Sequence, residues 1–315
     1  MHPALSVIAF TTLSGAGYGL AIVLALGHGN PAALSTKIAW VIALALIALG
    51  LLASTLHLGN PQRAWRAFSQ WRTSWLSREG VMAVVTFIPL TALAAMSVFG
   101  ETFHLGLGYL AAIMCGLTVY CTAMIYASLK TIAQWHTRWT PAVYLAFALT
   151  MGTVIYISFF GPEVGSRSMT IWVYLTIVFL LVSWGVKYIW TRRAMSIGYG
   201  ESTIESAIGI GTIGEARLLE RPHAMGNYLT NEMVFRVARK HTDKLWRITL
   251  LLGLALPIIL LVLSLQFGRS GGWLLIAACI SLYAGIFIER WLFFATAKHV
   301  VGLYYGGDEA LTPSN

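Results

Sequence analysis

Long apolar stretches separated by short polar ones make up this chain. Positions free of Asp, Glu, Lys and Arg run from 1 to 36, 38 to 62, 80 to 100, 102 to 129, 139 to 162, 168 to 186, 248 to 268 and 270 to 288, eight runs of at least 19 residues each. A hydrocarbon core about 30 Å thick is crossed by about 20 residues at 1.5 Å each, so every run can supply one spanning helix. The pattern predicts an all-α integral membrane protein: an eight-helix bundle forming a single membrane domain over 1–315, with helices near 6–26, 37–57, 81–99, 105–128, 141–160, 169–189, 246–266 and 273–297. Composition excludes the soluble alternative. Of the 315 residues 57% are apolar and 10% charged, and the mean hydropathy is +0.73, whereas soluble domains carry about 25% charge. Too few polar side chains remain to clothe a soluble fold. Met1-His2-Pro3 lacks the basic flank of a secretory signal, so the first run reads as a retained helix.

Charge then orients the bundle. The connections 58–80, 129–140 and 190–245 lie on one side and hold fourteen basic residues, against three (Lys37, Arg167 and Arg269) on the other. By the positive-inside rule both termini are cytoplasmic. Most of the net charge of +9 falls on that face, where anionic lipid or an acidic partner protein would meet it. No nucleic-acid-binding module accompanies it. Within 61–75, Trp65, Phe68, Trp71 and Trp75 recur at spacings of three, three and four with arginines between them, the pattern of an interfacial helix or of a plain aromatic belt. The 190–245 connection is polar and too small to be a stable domain alone. It is expected to dock a partner subunit, with 227–247 helical and leading into the seventh span.

Several tempting motifs carry no chemistry. Gly209 to Gly214 satisfies GxGxxG, but that fingerprint acts only inside a βαβ unit, for which no room exists between spans six and seven. Gly15 and Gly19 form a GxxxG that reads as close helix packing. Cys115, Cys121 and Cys279 lie inside spans with no CxxC spacing, which argues against an iron–sulfur or zinc site in this protein. The eight histidines sit at span ends or in connections rather than facing each other within helices, so haem b is disfavoured.

One constellation remains. His57 ends the second span just before Leu58-Gly59-Asn60-Pro61, a helix stop; Arg63 follows, and Glu79 opens the third span. The two spans join on one face, so these three ionisable groups can converge at interface depth, where such groups usually line a site or a water path. The simpler alternative is that Arg63 and Glu79 anchor helix ends or pair with each other.

These residues also carry a resemblance. Leu56-His57-Leu58-Gly59-Asn60-Pro61-Gln62-Arg63-Ala64-Trp65, followed by Trp75-Leu76-Ser77-Arg78-Glu79, resembles the HLGxPxRAW…LSxE signature of membrane anchor subunits of the dimethyl sulfoxide reductase type, and 227–241 is similar to that family's segment before the seventh span. The resemblance implies an inner-membrane anchor that exchanges electrons with a quinone (ubiquinone or menaquinone), with His57, Arg63 and Glu79 as the quinone-binding and proton-relay residues. It implies two partners: a ferredoxin-like iron–sulfur subunit and a molybdopterin catalytic subunit. Members of the family serve sulfoxide reductases or cytoplasm-facing sulfite dehydrogenases, and the basic cytoplasmic face favours the second. A proton-coupled transporter is the competing class, with Glu289-Arg290 in the last span as its site; the halves show no internal repeat, and the pair reads more simply as an internal ion pair or the mark of a water pocket.

Overall fold

The computed structural model describes residues 3–56, 60–161, 165–211, 213–216 and 237–305. Eight long helices are apolar enough to cross a membrane. They are α1 (Leu5–Ala25), α2 (Leu34–Thr55), α3 (Trp75–Gly100), α4 (Leu105–Ala127), α5 (Trp139–Ile155, continued by a π-helical turn Tyr156–Phe160), α6 (Arg167–Ile197), α7 (Val237–Leu250, a π-helical stretch Leu251–Ala255, then Leu256–Gln266) and α8 (Gly272–Ala295). None of the described residues is in a strand.

Two helices begin or end differently from the pattern of charge-free runs, for one reason. A charge was taken as the edge of a span, yet α3 starts at Trp75 and takes in Arg78 and Glu79, while α6 continues through Lys187, Arg192 and Arg193 to Ile197. Lys187 and Glu79 are buried, so each is held by the bundle rather than by water.

Helix α1 is the centre. It packs on α2, α4 and α5 and touches α8, and its row of Gly, Ala, Ser and Thr lets backbones approach where no hydrophobic effect drives association. A Cβ on Gly19 would overlap the Ala148 carbonyl oxygen of α5, and one on Gly152 would overlap the Gly19 carbonyl carbon. The GxxxG reading thus holds. Helices α7 and α8 make a second such contact at Gly253 and Gly285. There Pro257 supplies no N–H, so the Gly253 carbonyl lacks its α-helical donor; the Trp184 indole N–H of α6 donates to it at 2.8 Å, and the Ser281 hydroxyl donates to Leu252 O at 2.7 Å.

Outside the spans, Pro61–Gln70 forms a 3-10 helix rather than an α-helix. Residues three apart eclipse in that geometry, which suits Trp65, Phe68 and Trp71. The segment has no buried residue. Phe68 lies against Gly80 of α3, and Arg78 fastens the segment's end by donating to Trp71 O at 3.0 Å and Arg72 O at 2.7 Å. The GxGxxG stretch follows a single helical turn (Ile204–Ala207) and passes through turns at Gly209 and Gly211, without any strand among its described residues. Of the 227–247 segment expected to be helical, the part from Val237 is helix and 227–236 lies outside the described residues.

Candidate functional site

Glu79 is the fifth residue of α3 and points into the bundle, 6% exposed. Burying a carboxylate is costly without partners. Among the described residues it has one, the Thr122 hydroxyl of α4, which donates to Oε1 at 3.5 Å. Deeper in the bundle the same interface is closed by the Thr118–Thr86 hydroxyl pair at 2.9 Å. Thr122 and Thr118 also donate back to their own helix, at Thr118 O and Met114 O, so both are tied in place. Glu79 is therefore a buried acid with spare acceptor capacity, set beneath the aromatic 3-10 segment.

The other two expected residues are placed differently. Arg63 is exposed on the 3-10 helix, its amide bonded to Asn60 O at 3.0 Å. Among the described residues the ion pairs are Lys37–Glu101, Lys187–Glu289 and Arg290–Glu289, so Arg63 and Glu79 are not paired. His57 lies outside the described residues, as do Leu58 and Gly59. Other histidines serve backbone groups: His104 Nδ1 accepts from Leu107 N at 3.1 Å, His136 Nδ1 contacts Ala127 O at 2.7 Å, and His299 Nδ1 accepts from Val301 N at 3.1 Å. The three cysteines are packed, free thiols.

A second charged cluster sits at the same end of the bundle. Glu289 of α8 pairs with Lys187 of α6 (Nζ to Oε1 2.5 Å) and lies 3.4 Å from its neighbour Arg290 (Nε to Oε2). Two cations against one anion would be prohibitive in an apolar layer. Aromatic faces offset the excess: Lys187 stands 3.7 Å over Trp190, and Arg290 stands 3.9 Å over Tyr144. Glu289-Arg290 thus forms the internal ion pair that the sequence suggested. Lys187 was not foreseen, although a lone lysine between Trp184 and Trp190 was a visible signal.

Two cavities flank this cluster. One, between α1, α4, α5 and α8, is lined by Thr11, Ser14, Tyr18, Thr122, Tyr144 and Arg290 among others and has room for about one water molecule. The Tyr18 and Tyr144 hydroxyls and Arg290 Nη1 are buried there without a hydrogen-bond partner. The other, of about 270 Å³, is lined by Lys187, Trp190, Met195, Trp246 and Lys298 among others, at the end of the bundle where α6 emerges. Its floor is shaped by the connection between α4 and α5, which folds inward: Trp135 stacks on Phe293 at 5.1 Å and donates to Phe293 O, while Gln134 bonds Ala194 O and receives Lys298 N. Among the described residues no His, Cys, Asp and Glu group suits a metal ion.

Comparison with known proteins accords with this architecture. The sequence is 32% identical to an anchor-length subunit of the sulfite dehydrogenase of Allochromatium vinosum over 328 aligned positions, covering 97% of this protein and 99% of that one. It is 30% identical over 112 residues to a component of the anaerobic dimethyl sulfoxide reductase of Escherichia coli, covering 34% of this protein and 37% of the other. No solved structure matches it. Residues 1–306 match the family described as DMSO reductase anchor subunit, and with eight apolar helices spaced along that length, the protein belongs to the DmsC family of membrane anchors.

Proposed function

We propose that this protein is the quinone-facing anchor of a molybdopterin oxidoreductase complex, passing electrons between the quinone pool and a partner iron–sulfur subunit in a cytoplasm-facing, sulfite dehydrogenase-like assembly. The observation that carries it is Glu79: a buried acid with a single hydroxyl partner among the described residues, at the membrane-interface end of α3 and α4, directly after the 56–79 segment that bears the family signature. The full-length likeness to a sulfite dehydrogenase subunit supports the substrate side of the reading.

The chemistry follows from the balance. Reducing a quinone to a quinol takes two electrons and two protons, and the oxidation returns them. The electrons arrive from the docked iron–sulfur partner. His57, with an ordinary imidazole pKa of about 6.5, is the proton partner of the ring oxygen in either direction. Glu79 relays that proton from its buried position, and Arg63, exposed on the 3-10 segment, steadies the charge that develops on the ring oxygen. The basic connections 58–80 and 190–245 form the dock for the iron–sulfur subunit. The molybdopterin belongs to the catalytic subunit and acts far from these residues.

Copurification tests the proposal. The protein, tagged and expressed with its neighbouring subunits, is expected to bring down iron and molybdenum and to link substrate oxidation to reduction of a soluble quinone analogue. A purified protein that carries no partners and takes up a solute into vesicles would establish the transporter instead. Turnover that runs only from quinol to a sulfoxide would assign the reductase direction.

A further inference from the structure

The described residues hold four buried charged side chains, Glu79, Lys187, Glu289 and Arg290, and the two cavities join them. Thr122 touches Glu79 on one side and lines the small cavity on the other. Tyr144 and Arg290 line the far wall of that cavity, with a hydroxyl and an Nη1 that have no partner. Arg290 meets Glu289 at 3.4 Å, Glu289 meets Lys187 at 2.5 Å, and Lys187 lines the 270 Å³ pocket at the end of the bundle. Each link is a contact or a shared wall, and the row crosses the bundle from α3 to α6.

We infer that this row is the proton route between Glu79 and the aqueous phase, with the large pocket as its mouth. The inference rests on the quinone reading above. In quinone reduction, a proton enters at the pocket, is taken by Lys187 and passed to Glu289, crosses to a water in the small cavity, and reaches Glu79 by way of Thr122; oxidation runs the same steps backwards. Electrons take no part in these steps, and each donor regains the proton it gives. A guanidinium does not release its proton in a protein. Arg290 therefore positions: it holds Glu289 ionised and orients the cavity water, and the proton passes beside it. The unpartnered Tyr18 and Tyr144 hydroxyls are explained as further contacts of that water, since buried hydroxyls otherwise lose a hydrogen bond. This places Glu289, Lys187 and Tyr144 in the working parts of the quinone half-reaction, far along the sequence from the 56–79 signature.

The test uses the assembled complex and compares quinone-linked with dye-linked turnover in ordinary and heavy water. Glu289→Gln is expected to lower quinone-linked kcat by about tenfold or more, with an enlarged solvent isotope effect, an unchanged KM for the quinone analogue and unchanged dye-linked turnover. Thr122→Val and Tyr144→Phe keep the charge set whole and should shift kcat and the isotope effect the same way by a smaller factor, so they decide the matter if Glu289→Gln does not assemble. Lys37→Ala, at the exposed pair with Glu101 on the opposite side, is the control. Variants with wild-type kcat and isotope effect would overturn the route while leaving the quinone reading intact. A wild-type complex unable to turn over quinone would instead sink the reading itself.

Discussion

At the residue scale, His57 and Glu79 divide the work by position. A group that touches the reacting oxygen cannot be replaced by water as readily as one that relays behind it. His57→Leu should therefore remove most quinone-linked turnover, by about 10²–10⁴, with dye-linked activity retained; Glu79→Gln should cost less and change the pH profile. Steady-state rates on matched, fully assembled complexes check both, and wild-type quinone-linked rates in His57→Leu would reduce His57 to a helix-end histidine. A third residue gives an independent check of the fold. Burial holds His299 below the ordinary imidazole value of about 6.5, and its Nδ1 accepts from Val301 N only while unprotonated. With a depressed folded-state value, the bond is present at neutral pH and is lost as the pH falls through that value. Exchange of the Val301 amide, corrected for its intrinsic pH dependence, should accelerate on acidification, and His299→Asn should remove the pH dependence. Of the site residues, Glu79 and the Glu289-Arg290 pair were legible in sequence because a charge next to an apolar run stands out. Thr122, Tyr144 and Tyr18 were not: a hydroxyl in a membrane helix usually bonds its own backbone, and only the fold shows which ones face a cavity.

At the element scale, the helices that kept to the charge-free runs were readable to within a few residues, since length and hydropathy set them. Those that departed from it did so where the bundle supplies a partner for a charge, as at Lys187, which periodicity cannot reveal. The inward fold of the α4–α5 connection was also hidden. Its anchors are Trp135 and Gln134, whose partners on α6 and α8 are more than fifty residues away in sequence. The π-helical turn in α7 offers a stability test. Trp184→Phe keeps an aromatic ring between Phe147 and Trp246 but leaves the Gly253 carbonyl without its indole donor, a loss of about 1–3 kcal/mol. Thermal unfolding in detergent should show a lowered midpoint. An unchanged midpoint would mean that another donor reaches the carbonyl.

At the scale of the whole molecule, the basic connections determine what binds and where. Neither 61–70 nor the described part of 198–216 contains a buried residue, and both connections carry arginines, so the complex should protect them from proteolysis when the partners assemble. Equal cleavage with and without partners would remove them as the dock. A reporter fused at the C-terminus should be active only as a cytoplasmic fusion, and export-dependent activity would invert the bundle.

The four buried charges have a further consequence for energy conservation. Glu79, Thr122, Tyr144 and Arg290 all lie five or six residues from the ends of their helices, on one side, roughly 7–9 Å along the axis at 1.5 Å per residue. The described residues toward the opposite side hold no buried charge. Electrons from a partner docked at the basic face and protons drawn through the same face would meet at the quinone without either crossing the dielectric. Such a reaction moves no net charge through the bilayer, and proteoliposomes turning over quinone should leave a voltage-sensitive dye silent while the bulk pH changes on one side only. The subunit would then feed the quinone pool without itself charging the membrane, leaving that task to whichever enzyme next oxidises the quinol.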